Sequence, residues 1–304
     1  MAKSGKPILI SIVGPTAVGK TALSIQIARW LGSEIVSADS RQFYREMEIG
    51  TAKPDAEELK AVPHHFINSH SINEMYSAGE FGRDAIERIG ELHRQNRTVV
   101  AVGGSGLYLK ALWDGFDEMP SVDKQIRENL NLEFEKNGLE SLLEELKASD
   151  IEYFNEVDRQ NGQRVIRALE VIRSTGKPFS SFRKSQPSEL PYDQIKIGLN
   201  MDREDLFDRI NRRMDLMIEA GLFEEAKKLY PHKDHNALQT VGYSEIFGYM
   251  DGNYDKEEAI RLLKRNSRRY AKRQLTWFRK YDDIHWFSPN QLEKIKQLIE
   301  AELH

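Results

Sequence analysis

Residues Ile8–Thr21, ILISIVGPTAVGKT, predict the fold class of this 304-residue chain. Their first half, Ile8 to Val13, is an apolar run interrupted only by Ser11, which is typical of a strand buried on both faces of a parallel sheet. A helical pattern from Thr21 to Leu31 comes last, with Gly32 behind it as a C-terminal cap. The residues between them match the P-loop pattern G-x-x-x-x-G-K-[ST] in full: Gly14, Pro15, Thr16, Ala17, Val18, Gly19, Lys20 and Thr21.

The P-loop predicts a site for a diphosphate. Its glycines let backbone N–H groups and the N-terminus of the following helix point at an anion, Lys20 adds a positive charge, and the Thr21 hydroxyl is a ligand for Mg²⁺. We therefore expect diphosphate binding by Gly14 to Thr21, with Mg²⁺ as the cofactor. Enzymes that transfer a phosphoryl group and enzymes that grip a pyrophosphate leaving group need the same cradle, so the loop alone leaves both open.

Further strand patterns extend this unit to a sheet. Glu34 to Ala38, Thr98 to Val102 and Ile195 to Leu199 read as strands that alternate with helices. This alternation predicts an α/β fold of the P-loop NTPase type, with a parallel sheet flanked by helices. The strand at Thr98 to Val102 runs into Gly103-Gly104-Ser105-Gly106, where a nucleotide hydrolase would carry a metal-positioning Asp, and this counts against ATP hydrolysis.

The character of the chain changes after Pro120. Residues 121–189 are charged and strongly helical, and we predict that they form a mostly helical insertion domain. Ser141 and Glu144 have the spacing of a capping box, and Asn161-Gly162 marks a break before another helix. The α/β core then comprises residues 1–120 and 190–304, with long helices predicted at Asp205 to Ala220 and Lys256 to Lys280.

The bulk composition excludes several classes of protein. Hydrophobic residues make up 39% and charged residues 30% of the chain, as in a soluble globular protein. The lack of cysteine excludes disulfides, thiolate metal ligands and a cysteine nucleophile. No apolar run approaches the ~18 residues of a membrane span, and Met1 to Lys6 lacks a signal-peptide layout. We therefore expect a cytoplasmic protein without membrane contact.

Positive charge is concentrated near the C-terminus. The formal net charge of −4 would oppose nucleic-acid binding if it were spread evenly. Within the predicted helix at Lys256 to Lys280, Leu263, Tyr270 and Trp277 can face the core, and Trp277 and Phe278 read as packing residues. Four basic residues recur there at intervals that suit a row of phosphates: Arg261, Arg265, Arg268 and Lys272.

Asp39 ends the second predicted strand. It lies at the carboxyl edge of the sheet, where open α/β folds bind ligands, and a carboxylate there is well placed to act as a catalytic base. Aspartate also caps turns often. Position along the chain leaves both roles open.

Nine blocks of sequence occur in an order that resembles one enzyme family. They are Gly14–Thr21, Asp39–Tyr44, Ile49–Pro54, Pro63–His65, Tyr76–Phe81, Val102–Tyr108, Arg164–Val171, Val241–Tyr243 and Tyr270–Arg279. With these blocks the chain resembles the tRNA dimethylallyltransferases, also called tRNA isopentenyltransferases, from about Ile8 to Trp286. The resemblance implies a P-loop core with a helical insertion that contacts tRNA.

The resemblance implies transfer of a dimethylallyl group from dimethylallyl diphosphate to N6 of an adenosine beside the anticodon. Asp39 then looks like the base that takes a proton from the weakly nucleophilic amine. Lys20, the loop amides and Thr21 with Mg²⁺ would stabilise the departing diphosphate, together with Arg213, which only the resemblance assigns. The expected partners are the tRNA anticodon loop and the diphosphate donor, and we expect a monomer.

The resemblance also implies which residues hold the RNA. The target adenine should be extruded from its loop and read along its edges, for which Gln42 offers a bidentate amide. Ser105 stands where the family usually has Thr, and it keeps the hydroxyl. His64 and His65 are interpreted as structural rather than metal-binding. The expected tRNA-binding residues are Asp39, Ser40, Arg41, Gln42, Ser105, Gln163, Arg164, Arg167 and Arg268.

Two rival functions use some of the same parts. A P-loop small-molecule kinase would place Lys20 and Mg²⁺ on bound ATP and would use Asp39 to activate an acceptor hydroxyl. A non-catalytic RNA-binding protein would give no reason for a carboxylate opposite an intact P-loop, and it predicts that Asp39→Ala leaves every activity untouched.

Overall fold

The structure, a computed structural model, describes residues 5–115, 119–120, 122–183 and 189–303. The predicted boundary residue 121 and residues 184–188 of the predicted insertion lie outside this range. In the described part of the chain, no helix has both the length and the apolar character needed to cross a membrane.

The core of the fold is one parallel sheet. Its strand order is β3-β2-β4-β1-β5-β6, and every described pairing between the strands is parallel, which confirms the predicted α/β fold. The strands are β1 Ile8–Val13, β2 Ile35–Ser37, β3 His64–His65, β4 Thr98–Gly103, β5 Asp193–Leu199 and β6 Ile284–Phe287.

Strand β1 lies in the middle of the sheet because both of its faces are apolar. Leu9 and Val13 pack into one hydrophobic cluster, while Ile10 and Ile12 pack into another on the opposite face. All six residues of β1 are buried, as expected of a strand covered by helices on both sides. This position directs the loop after β1 toward the carboxyl edge of the sheet.

Some helices cover the two faces of the sheet, and the others pack against one another around a separate hydrophobic cluster. Gly32 caps α1 in the left-handed conformation, as predicted. The helices are α1 Lys20–Leu31, α2 Ala56–Ala61, α3 Ala78–His93, α4 Gly106–Asp114, α5 Lys124–Asn137, α6 Leu139–Ser149, α7 Ile151–Glu156, α8 Gly162–Thr175, α9 Arg203–Glu219, α10 Leu222–Leu229, α11 Ser244–Met250, α12 Lys256–Phe278 and α13 Leu292–Leu303.

The chain divides into two compact units. One comprises Met1–Asp114 and Glu189–His304, and the other is Gly115–Ser188. The division comes directly after α4, earlier than the predicted residue 121. In the smaller unit, α5 to α8 enclose a cluster that includes Leu130, Leu146 and Leu169.

One helix start in the smaller unit differs from the prediction. The spacing of Ser141 and Glu144 suggested a capping box, but α6 begins at Leu139 after Gly138. Ser141 is inside the helix, and its hydroxyl donates to the Gly138 carbonyl instead of capping an N–H. The capping-box prediction was wrong because Gly138, with φ 75°, already turns the chain between α5 and α6.

Candidate active site

The P-loop joins β1 to α1 by a tight turn whose glycines are required. Gly14 has φ 144°, and a Cβ there would lie 2.5 Å from the Leu199 carbonyl oxygen of β5. Gly19 has φ 108°, directly before α1 begins at Lys20. The first turn of α1 contains no acidic residue. The loop amides and the positive end of α1 are therefore directed into one turn that suits an anion.

Gln274 on α12 fastens the P-loop to the neighbouring loop. Its Oε1 accepts the Thr16 N–H at 2.8 Å, and its Nε2 donates to the Gly104 carbonyl at 3.0 Å. A Cβ on Gly104 would lie 2.3 Å from that Nε2, which explains the glycine. Gln274 was not among the predicted site residues, because nothing in its local pattern indicates which loop α12 crosses.

Two cations converge on the P-loop. The Lys20 ammonium donates to the Pro15 carbonyl at 2.8 Å, and Arg213 of α9 donates through Nη2 to the Thr16 hydroxyl. Burial and the nearby Arg213 guanidinium lower the pKa of Lys20 to about 7, and burial lowers the pKa of Arg213. Arg213 thus lies against the P-loop rather than on a solvated helix face. Such a pair of close cations is stabilised by an anion between them.

The lowered pKa of Lys20 predicts a pH dependence of anion binding. A bound diphosphate favours the ammonium form, so its affinity should fall as pH rises above about 7, where free Lys20 loses its proton. Titration calorimetry with inorganic diphosphate, without divalent cations, measures this. Lys20→Met is the reference, because it retains only the titration of the anion itself. Equal pH slopes for the two proteins would contradict the expectation.

Asp39 follows β2 and faces the same cavity as Thr16 and Arg213. Its Oδ1 accepts the N–H groups of Arg41 at 2.9 Å and Gln42 at 3.4 Å. Among the described residues, none donates a hydrogen bond to Oδ2. The carboxylate therefore caps the turn with one oxygen and leaves the other able to accept a proton, so the two roles considered for Asp39 are compatible.

Ser105 connects the loop of Asp39 to the loop after β4. Its Oγ accepts the Ser40 N–H at 2.9 Å and donates to the Ser40 hydroxyl at 3.1 Å. This contact is close because Gly103 has no side chain: a Cβ there would lie 2.3 Å from the Ala38 carbonyl oxygen. In this structure the Ser105 hydroxyl holds the backbone next to Asp39.

Tyr270 of α12 lines the cavity, although its spacing suggested a core position. Burial, the larger cause, and the negative charge of Asp39, the second cause, raise the pKa of Tyr270 to about 12. A hydrogen bond with Ser105 opposes this shift. The prediction that Trp277 and Phe278 are packing residues agrees with the structure. Phe278 is fully buried, and Trp277 packs against Gly106, where a Cβ would lie 2.2 Å from the indole Nε1.

Gln42 is engaged by the protein in a way that the sequence did not indicate. Its Nε2 donates to the carbonyl oxygens of Thr51 at 3.2 Å and Ala52 at 3.1 Å, and its Oε1 accepts from Ser37 at 3.2 Å. The amide expected to read a base edge is thus satisfied within the fold. In this conformation Gln42 positions Thr51, a residue of the cavity wall.

The lining of the cavity includes polar and apolar residues, here called its polar side and its apolar side. Thr16, Asp39 and Arg213 belong to the polar side, together with Ser40, Arg41 and Thr51. Met214, Met217 and Leu222 belong to the apolar side, where Val241 also contributes. The wall is completed by Gly50, Thr240, Gly242, Ser267 and Tyr270. The cavity can therefore hold a molecule with a charged head and a short apolar tail beside a carboxylate.

The basic residues of α12 fall into two groups. In the predicted phosphate stripe, Glu258 neutralises Arg261 through a salt bridge, while Arg268 keeps its charge and donates to Asn211 Oδ1 at 2.6 Å. Another group surrounds the Trp277 indole, with the Lys280 ammonium 5.5 Å from the ring centroid. No carboxylate of the described residues forms a salt bridge with the cations of this basic face: Arg269, Lys272, Arg273 and Lys280.

The tRNA-binding residues predicted on α8 belong to the unit Gly115–Ser188. Arg164 is exposed, and its backbone N–H is capped by Asn161 at 3.3 Å, so this helix starts as predicted. Arg167 pairs with the buried Glu170 at 3.1 Å, and Gln163 accepts from Arg127 at 3.0 Å. Of the two arginines, Arg164 forms no salt bridge with a carboxylate in the described ranges.

The paired histidines of β3 have protein partners. His64 Nδ1 lies 2.8 Å from the Val62 carbonyl oxygen, and His65 Nε2 lies 2.6 Å from the Glu34 carboxylate. Over the described ranges, no group of three or more His, Asp or Glu side chains is arranged to hold a metal ion. The two histidines stabilise the edge of the sheet, in line with the structural interpretation.

The chain is similar to known proteins over almost its whole length. A family model described as IPP transferase matches residues 42–281. A tRNA dimethylallyltransferase from Cytophaga hutchinsonii is 52% identical over 295 residues, 97% of either chain. One from Christiangramia forsetii is 52% identical over 297 residues, which is 97% of this chain and 98% of that protein.

Solved structures agree with these relatives. The full-length tRNA isopentenylpyrophosphate transferase from Bacillus halodurans superposes with a TM-score of 0.73 at 42% identity, covering 98% of this chain and 97% of that one. A eukaryotic dimethylallyltransferase acting on tRNA superposes with a TM-score of 0.80 at 27% identity, covering 94% of this chain and 75% of that one.

Proposed function

Because this chain belongs to the tRNA dimethylallyltransferase family, we propose that it transfers a dimethylallyl group from dimethylallyl diphosphate to N6 of an adenosine beside the tRNA anticodon. The observation that carries this proposal is the single cavity lined by Thr16 of the P-loop, Arg213, Asp39 and an apolar wall. The cavity can accommodate a diphosphate head and a short prenyl tail, and Asp39 supplies a carboxylate base in its wall. A small-molecule kinase does not account for the apolar wall.

The reaction can be written with the side chains of the cavity and the groups of the P-loop. The N6–C1 bond to the prenyl group forms as the bond from C1 to the diphosphate oxygen breaks. The adenine amine loses a proton, which Asp39 accepts, since the lone pair of an exocyclic amine is drawn into the purine ring. Lys20, Arg213 and the P-loop amides stabilise the negative charge that develops on the leaving diphosphate.

Thr21 and the diphosphate itself fit a magnesium ion. Mg²⁺ keeps several waters and usually takes one or two protein ligands together with substrate phosphates, so a larger acidic cluster is not required. Thr21 follows Lys20 in the first turn of α1, where its hydroxyl can serve as that ligand. When bound, the ion would neutralise charge on the diphosphate oxygens.

The test of this function is a transfer assay with two labelled donors. The protein is incubated with tRNA and either labelled dimethylallyl diphosphate or labelled ATP. We expect label from the first donor to enter the RNA, with N6-dimethylallyladenosine identified by mass spectrometry. A phosphorylated product from ATP, with no label transferred from the prenyl donor, would overturn the proposal in favour of a kinase.

The basic face of α12 is proposed to bind tRNA phosphates. Each phosphate contact releases counterions from the RNA. Arg273→Ala should therefore weaken tRNA binding and reduce, by about one, the magnitude of the slope of log K against the logarithm of the salt concentration. Arg261→Ala on the same helix is the matched control, because Glu258 already neutralises that charge. Binding is measured by filter retention over a range of salt concentrations. Equal slopes for the two variants would contradict this assignment.

A further inference from the structure

The apolar side of the cavity is built by consecutive turns of one helix. Met214 and Met217 of α9 line it, followed by Leu222 at the start of α10, while Arg213 of the same helix lines the polar side. Both methionines and Leu222 are buried and belong to the large hydrophobic cluster on that face of the sheet. The same helix therefore carries a cation at the polar side and an apolar surface beyond it.

The spacing along α9 matches the size of a five-carbon tail. Residues four apart lie on one face of a helix and are about 6 Å apart along its axis. Arg213 is in contact with Thr16 of the P-loop, and Met217 is one turn further on. If the diphosphate of the donor binds at the P-loop beside Arg213, its prenyl group, four carbons long, would end near the Met217 side chain.

Beyond Met217 the chain packs into the core. Helix α9 ends at Glu219, Gly221 turns the chain with φ 102°, and Leu222 is fully buried behind it. Ile49 approaches the turn as well, at 3.9 Å from the position of a Cβ on Gly221. A longer chain would have to displace buried side chains that pack in the core.

From this geometry we propose that Met217 and Leu222 set the length of the prenyl donor, admitting five carbons and excluding ten. This inference rests on the proposed function and adds the residues that select the donor. Its physical basis is steric: an additional isoprene unit has no free volume until the side chain at 217 is shortened.

The experiment compares donors of two lengths. Steady-state kcat/KM is measured with dimethylallyl diphosphate and with geranyl diphosphate, a ten-carbon allylic donor, on the same tRNA. Met217→Ala should raise the ratio of the ten-carbon to the five-carbon value at least about tenfold, the lower end for a change of one methylene in an apolar pocket. Leu216→Ala is the control, since Leu216 is 63% exposed and lies outside the lining.

The results of these assays distinguish selection of donor length from other roles of Met217. Met217→Val is a milder shortening that should shift the ratio in the same direction if the alanine variant fails to fold, and unchanged affinity for inorganic diphosphate verifies the folded site. Comparable use of both donors by the unmodified protein overturns the inference. So does a Met217→Ala variant in which the KM for tRNA changes while the donor ratio does not, because the wall would then hold the adenine. Loss of the proposed function itself would show as no transfer from the five-carbon donor in the unmodified protein.

Discussion

Asp39→Asn should reduce the rate of prenyl transfer by about 10²–10⁴-fold, the range for loss of a general base, while tRNA affinity remains almost unchanged. Asparagine retains Oδ1, which accepts the Arg41 and Gln42 N–H groups, so the turn after β2 should keep its shape. It cannot accept the proton of the adenine amine. Phosphate contacts supply most RNA affinity, and a carboxylate repels phosphates instead of binding them.

The Asp39 prediction is measured by single-turnover transfer and by tRNA binding with the same protein. Asp202→Asn provides the control, because Asp202 caps α9 through the same kind of contact, to the Glu204 N–H at 2.7 Å, without lining the cavity. Transfer at the unmodified rate in Asp39→Asn would exclude Asp39 as the base. A loss of tRNA binding in proportion to the loss of rate would assign it to RNA recognition instead.

Arg213→Ala should lower kcat/KM for the donor by about 10²–10³-fold, which is typical of removing one group that stabilises developing negative charge. The guanidinium lies at the P-loop, where it contacts the Thr16 hydroxyl. Its removal also takes away a charge that depresses the pKa of Lys20, so part of the lost anion binding is recovered by fuller protonation of that lysine. The effect should therefore be larger on kcat than on the affinity for inorganic diphosphate.

Arg212→Ala is the matched control for Arg213. The two arginines are adjacent on α9, but Arg212 is exposed and does not line the cavity. Arg213→Lys should restore part of the rate, since it keeps the charge but loses the planar fork. Equal losses in Arg212→Ala and Arg213→Ala would indicate a general effect of helix charge and would contradict the assignment.

Local patterns were sufficient for four of the six described strands and for the phosphate cradle, whereas the short strands β3 and β6 were not predicted. β1 and α1 are encoded by an apolar run, a glycine-rich loop and a helical repeat within one short segment, and the structure confirms each of them. The position of Asp39 at the carboxyl edge of β2 follows from the same alternation of strands and helices. These features depend on neighbouring residues along the chain.

The rest of the cavity depends on how distant helices pack. Tyr270 and Gln274 are four apart on α12 and so share a face, but only the packing of α12 shows that this face meets the P-loop and not the core. Met217 likewise has the spacing of an ordinary core residue. The hydrogen bonds of the Gln42 amide to the Thr51 and Ala52 carbonyl oxygens were not predictable either, because those residues belong to a separate loop that the sequence did not place.

In the proposed mechanism the P-loop binds the leaving diphosphate while Asp39 faces the attacking amine. A crystal structure with tRNA and an unreactive thio analogue of the donor tests it directly. We expect the diphosphate on the amides of Gly14 to Thr21, and an Asp39 carboxylate oxygen about 2.6–3.2 Å from N6 of an extruded adenine. A diphosphate bound elsewhere, or a carboxylate directed away from the adenine, would contradict this mechanism.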